Sequence, residues 1–148
     1  MSYRLDYEEP VPVVLERLEE EHREIDNKLS RIAEICESQE GKLSVALSLL
    51  NTIKTEILRH AVEEEARVAR AILQSKETKQ ESYESISILQ EHRRIKEFLE
   101  EKLPYLSYEA SEKAAKREIL EFIREIKIHH GDEERITFPL ARKANLLS

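Results

Sequence analysis

Histidine and glutamate interrupt an otherwise apolar helical stripe at six positions: His22, His60, Glu64, His92, His129 and Glu133. The members of each pair, His60 with Glu64 and His129 with Glu133, stand four residues apart. That spacing puts both side chains on one helix face, about 5–6 Å apart, so a single helix can chelate. An ionised carboxylate without a partner costs several kcal/mol to bury, and a domain's whole margin of stability is ~5–15 kcal/mol. Something must therefore neutralise Glu64 and Glu133. Neutral imidazoles mixed with carboxylates are ligands for divalent first-row metals, and two carboxylates able to bridge suit a pair of ions. Structural zinc matches less well, because it usually takes four ligands with thiolates among them.

The pattern occurs twice. Glu21-His22-Arg23 returns as Glu91-His92-Arg93, each histidine being followed three residues later by an isoleucine, Ile25 or Ile95. The run from His60 to Glu65 returns as the run from His129 to Glu134, so H-x-x-x-E-E is also duplicated. Two helical hairpins related by an internal repeat account for both duplications.

Positioning these groups requires long helices. Apolar residues recur at alternating spacings of three and four, the period of helices packing in a bundle. Four segments are expected over about 12–38, 43–75, 83–103 and 108–141. The first carries Leu15, Leu18, His22, Ile25, Leu29, Ile32 and Cys36 on its stripe, with Gly41 as a C-terminal stop. The second carries Ala46, Leu50, Ile53, Ile57, His60, Glu64, Val68 and Ala71. The third carries Ile88, His92, Ile95 and Leu99, and Pro104 should end it. The fourth, beginning between Ser107 and Ser111, either of which can cap it, carries Ala115, Ile119, Phe122, Ile126, His129, Glu133, Ile136 and Leu140. Gly131 predicts a close backbone approach or a local distortion, and Pro139 a kink or an end. The fold expected is all-α, an antiparallel up-down-up-down four-helix bundle forming one domain over residues 1–148. In it His22 and His60 lie at similar heights, each about 25 Å from the first connection.

Composition narrows the function. The chain carries 24 Lys+Arg against 31 Asp+Glu, a formal charge of -7, so binding to a phosphate backbone has no electrostatic support and nucleic acid is not an expected partner. Two glycines exclude a phosphate-cradling loop, and one cysteine, Cys36, excludes an internal disulfide and a thiolate zinc site. Cys36 continues the first stripe and reads as packing. No apolar run approaches the ~20 residues that span a bilayer, and the acidic, tyrosine-containing start does not read as a signal peptide. A cytoplasmic protein without a membrane partner is the expectation. Only three Asn and four Gln beside many Lys, Glu and Ile hint at a heat-adapted source.

The order of ligands, a lone histidine, then H-x-x-x-E, then histidine, then H-x-x-x-E, resembles the hemerythrin-like family, the HHE cation-binding domains. The resemblance runs from His22 to Glu133 and extends to Thr137-Phe138-Pro139-Leu140. It implies a non-haem di-iron centre with an oxo or hydroxo bridge, in which His92 and His129 bind one iron, His22 and His60 the other, and Glu64 and Glu133 bridge. Zinc or manganese could occupy such a site in a given preparation. His130 with Glu134 is an alternative pair on the fourth helix, although the stripe and the match to His60 and Glu64 favour His129 and Glu133. Oxygen-carrying members have a further histidine where this chain has Lys96, so the resemblance is to the four-histidine, two-glutamate branch. That departure leaves oxygen or nitric oxide binding, sensing, peroxide or nitric oxide turnover, and iron storage or donation open, and it leaves open whether the protein is an enzyme.

A ferritin-like di-iron site is a rival of the same class. It needs Glu-x-x-His on two helices. Glu19 and His22 have that spacing, but Leu89, Ile57 and Ile126 precede the other stripe histidines. Glu56 and Glu125, one turn before His60 and His129, could accept the outer imidazole N–H groups or be surface acids. Tyr83, Tyr105 and Tyr108 fall near loops, where they line access or cap the core. A metal-free interaction bundle held by buried His–Glu pairs is the remaining alternative.

Overall fold

The computed structural model describes residues 4–108 and 111–147, and every regular element among them is helical. Helix α1 spans Val11–Glu37, entered from Pro10 with Pro12 in its first turn, where a missing N–H costs nothing. Helix α2, Leu43–Glu63, runs without a break into a π-helical segment, Glu64–Ala69, and then α3, Arg70–Gln74. Ser75 turns extended, and the short α4, Lys76–Lys79, follows; Thr78 locks this corner by donating its hydroxyl to the Ile72 carbonyl at 2.7 Å. Helix α5, Tyr83–Glu97, passes into a π segment, Phe98–Lys102, and a 3-10 segment, Leu103–Tyr108. Helix α6, Glu112–Asp132, leads through a third π segment, Glu133–Thr137, to α7, Phe138–Leu147. Ser111 caps α6, accepting from the Ala114 N–H at 3.1 Å.

Cross-helix pairs set the directions. Arg17 bonds to Glu63 and Lys28 to Glu56, so α1 and α2 are antiparallel. Ser30 bonds to Lys127, Asp26 to His130 and Glu19 to Arg142, so the rod of α6 and α7 is antiparallel to α1. Glu91 reaches His129 and Lys102 reaches Glu118, which makes α5 antiparallel to α6.

The interior has an apolar, a polar and a second apolar zone. One cluster takes in Ile25, Leu29, Leu50, Ile57, Leu99, Ile119 and Ile126, toward the 38–42 connection. The other, at the far end, contains Val14, Leu15, Leu18, Val68, Ile72, Phe138 and Ala141. Histidines and glutamates occupy the layer between them, screened from water on both sides.

The expectations about glycine and proline change. Gly41 does not take the left-handed conformation of a helix stop. It is needed for space, because a Cβ there would collide with the Ile35 carbonyl. Gly131 has nothing within 4 Å of a built Cβ, so no close approach explains it, and the distortion of the helix begins two residues later. Pro104 and Pro139 do not end their rods. Each lies in the first turn of a new helical segment, the 3-10 turn or α7, where no i→i−4 N–H is called for.

The π segments also move the buried stripe. After Glu133 the buried positions are Thr137, Phe138, Ala141 and Ala144, where the uninterrupted spacing called for Ile136 and Leu140. After Val68 the next is Ile72, not Ala71. One extra residue per π turn shifts the inward face by one.

Candidate metal centre

The first stripe is buried throughout its length, and it delivers His22 from the middle of α1 to the polar layer. His60 and Glu64 come from the junction of α2 with its π segment, His92 from α5, and His129 and Glu133 from the junction of α6 with its π segment. Both glutamates open a π turn: the Glu64 N–H points to the His60 and Ala61 carbonyls, and the Glu133 N–H to those of His129 and His130. Such bulges re-aim side chains and recur at functional sites.

All six side chains predicted from the sequence come together. The His22 Nε2 lies 3.3 Å from Glu64 and 3.2 Å from Glu133, and the His92 Nε2 lies 3.0 Å and 3.4 Å from the same two carboxylates. The His60 Nε2 is 3.3 Å from Glu64, and the His129 Nε2 3.1 Å from Glu133. Glu64 and Glu133 are 0% exposed. His22 Nε2 has a hydrogen-bond partner in Glu64 Oε2 at 3.3 Å, but the Nε2 atoms of His60, His92 and His129, Oε1 of Glu64 and both oxygens of Glu133 are buried without one. Unpartnered buried donor atoms that share one volume could hold a metal ion, since buried polar atoms otherwise find partners.

The outer nitrogens explain the orientation. Each Nδ1 meets a carboxylate: His60 meets Glu21 at 2.8 Å, His129 meets Glu91 at 2.8 Å, His22 meets Glu134 at 3.1 Å and His92 meets Glu65 at 3.3 Å. An ionised carboxylate can only accept, so Nδ1 carries the proton and, in a neutral ring, the Nε2 lone pair faces inward. Glu56 and Glu125 do not serve in this way; they pair at the surface with Lys28 and Arg94. The residues that do serve, Glu21 and Glu91, stand immediately before His22 and His92 in the duplicated Glu-His-Arg triplets, a signal the sequence already contained.

Three consecutive glutamates divide their work. Glu63 binds Arg17, Glu64 faces the centre and Glu65 holds His92. Arg17 in turn holds Glu9, and Arg67 donates to the carbonyls of Asp6 and Glu9, so the segment before α1 is fastened beside the centre.

His130 and Glu134 do not replace His129 and Glu133. Glu134 sits outside as the partner of His22. His130 is buried, and its ring stacks on His22 with centroids 4.0 Å apart. Two overlapping sets of donor atoms, each within 4.8 Å, could hold metal ions: His22, His60, His130 and Glu133, and Glu64, His92, His129 and Glu133. Lys96 is exposed and takes no part in either set. Tyr83, Tyr105 and Tyr108 project into solvent and neither line nor cap this layer.

Charge coupling in the metal-free layer is strong. Burial works against a charged ring at His22, but Glu133 and Glu64 outweigh it and push its pKa up to about 10. In the same way burial opposes, and Glu133, Glu64 and Glu65 overcome, to bring His92 to about 12, while Glu64 and Glu21 carry His60 to about 9. Burial alone would raise Glu64 and Glu133; the surrounding imidazoles hold both below the ordinary carboxylate value. His130 moves the other way, lowered by burial and by its neighbour His22. These directions describe a layer that attracts positive charge, whether as protons or as cations.

No helix among the described residues is long and apolar enough to cross a membrane. No protein-family model matches the chain, and neither curated proteins nor solved structures show a significant similarity to it.

Proposed function

We propose that the chain is a four-helix bundle of hemerythrin type whose polar layer binds two cations, iron in its working form, and through them a small diatomic ligand such as oxygen or nitric oxide. The single observation behind this reading is the common orientation of the imidazoles, each Nδ1–H given to an outer carboxylate and each Nε2 turned toward Glu64 and Glu133. His22 and His60 would hold one cation and His92 and His129 the other, with Glu64 and Glu133 shared. Bound iron would supply a redox-active Lewis acid in a dry layer.

The chain's own residues do the rest. The outer carboxylates fix the tautomers and ring planes and raise the basicity of the inward nitrogens. The apolar zones on either side keep bulk water out, which strengthens every charge interaction in the layer. A metal-free bundle must instead meet Glu64 and Glu133 with protonated rings, among them His22, His60 and His92, whose burial opposes the charge.

The test is anaerobic loading with ferrous iron followed by oxidation. Two irons per chain and near-ultraviolet charge-transfer absorption are expected; well under two irons, or a colourless product, overturns the dinuclear assignment. Stopped-flow mixing of the reduced protein with oxygen, peroxide and nitric oxide then separates a binder, which forms a stable adduct, from an enzyme, which turns over.

A further inference from the structure

The two hairpins of the repeat differ beyond the polar layer, on the side of Phe138. His22 matches His92 at a separation of 70 residues, and His60 matches His129 at a separation of 69. In the same register Ser85 on α5 stands where α1 has Leu15, and Thr137, at the end of the third π segment, stands where the first π segment has Val68. Leu15 and Val68 are fully buried and belong to one apolar cluster. Ser85 and Thr137 are also 0% exposed. The second hairpin thus sets two hydroxyls where the first sets aliphatic side chains.

Register brings the two residues to one height. Lys102 meets Glu118 and Glu91 meets His129, the same number of residues apart on each of the antiparallel rods. Ser85 lies six residues before Glu91; six residues past His129, with one added by the π turn, ends at Ile136, next to Thr137. At about 1.5 Å of rise per residue the two are level to within one residue. His92 reaches Glu133 across the same seam, with Ser85 two turns before that histidine and Thr137 one turn past that glutamate.

Neither hydroxyl is satisfied by the chain. Ser85 Oγ and Thr137 Oγ1 are buried without a hydrogen-bond partner. A helical hydroxyl commonly hands its proton back to a carbonyl of the preceding turn, as Thr52 does to Ser48 and Ser82 to Lys79. The buried Thr78 likewise donates to Ile72. Ser85 and Thr137 do not take that route, although leaving such a group unpaired in an apolar setting is costly. Serine also lacks the two methyl groups of the leucine it replaces in the repeat, each about the size of a water molecule, whose share of the liquid is ~30 Å³.

We propose that Ser85 and Thr137 hold one internal water molecule between α5 and the third π segment. Each hydroxyl can donate once and accept twice, so a single water can bond to both and still reach a backbone carbonyl, whose second lone pair is open even in a helix. Buried waters make roughly two to four bonds to groups that have no other partner, whereas dry cavities are lined by apolar atoms. The first hairpin is then packed dry around Leu15 and Val68, and the second keeps a protic molecule one helical turn past Glu133. The inference holds whatever occupies the polar layer, since neither residue belongs to the groups that could hold a metal ion.

A crystal structure of the full chain that resolves ordered solvent is the direct test. One water within about 2.6–3.2 Å of both Ser85 Oγ and Thr137 Oγ1 is expected. Hydroxyls bonded to each other or to carbonyls of their own helices, with no water between them, overturn the proposal. In solution, oxygen-17 relaxation dispersion counts long-lived internal waters. The parent should hold one more than Thr137→Val, which keeps the side-chain shape, and one more than Ser85→Ala; an equal count in the parent and either variant overturns it. Thr137→Val should also shift the folding equilibrium about five- to tenfold toward the unfolded chain, because a bonded hydroxyl is lost. No shift, or a shift toward the folded chain, is the result of removing an unpartnered hydroxyl and overturns the water site.

Discussion

Glu21 Oε1 accepts a hydrogen bond from the Nδ1 of His60 at 2.8 Å, joining the residue before one histidine of the centre to the next histidine along the chain. Glu91 and His129 repeat the relationship at the same distance. Each Glu-His pair thus turns an imidazole inward from its own helix and gives an outer carboxylate to its neighbour, which ties the orientation of the inward rings to the docking of the helices.

Removing such a carboxylate should weaken metal binding more than the fold. Glu91→Ala is expected to lose about 10–100-fold in metal affinity, measured by competition with a chromogenic chelator. Glu125→Ala, which removes a surface partner of Arg94, is the control and should bind metal as the parent does.

Among the described residues Glu64 and Glu133 are the carboxylates facing the imidazoles from inside, so Glu64→Gln should bind fewer than two cations. In the parent chain a strong chelator should lower the melting temperature, because a cation held only by the native state at about a hundred times its Kd contributes ~2.7 kcal/mol. Metal analysis and thermal scans with and without chelator check both, and a chelator-insensitive parent would count against a metal in this layer.

The metal-free chain should be most stable in mildly acidic solution. His22, His60 and His92 have raised pKa values, so their contribution is complete below the ordinary 6.5 and is lost as pH climbs through about 9 to 12. Glu64 and Glu133 are lowered, so theirs is complete above the ordinary 4.5 and is lost as pH falls through their depressed values. His130, lowered instead, opposes folding slightly as pH drops below 6.5. Urea midpoints across pH should show the metal-free optimum between about 4.5 and 6.5 and a metal-dependent increment that grows with pH, since cations displace protons from the rings.

The two glycines should respond with opposite signs. Gly131→Ala, inside α6 with open space around the new methyl, is expected to stabilise by about 0.5–1 kcal/mol. Gly41→Ala forces a Cβ into the Ile35 carbonyl and should destabilise, since the obstacle is backbone and cannot step aside cheaply. Equilibrium unfolding of the two variants gives both values.

Local spacing was enough to identify the helices, the buried stripe of α1 and the six inward side chains at the centre. Those are properties of one helix at a time, written as a period of 3.6 and as i, i+4 pairs. The outer carboxylates were not legible in that way, because Glu21 and Glu91 reach across to other helices, whereas Glu56 and Glu125 had only the favourable spacing within their own. Neither were the π turns at Glu64 and Glu133, which leave no mark in an apolar pattern and displace every later buried position by one residue. Tertiary structure also decided the place of His130: adjacent to His129 in sequence, it faces the layer only because α6 meets α1, where Asp26 takes its Nδ1 proton. A repeat in sequence therefore determined two matching sets of inward side chains, and the packing of α1 against α6, which brings His130 to one of them, made them unequal.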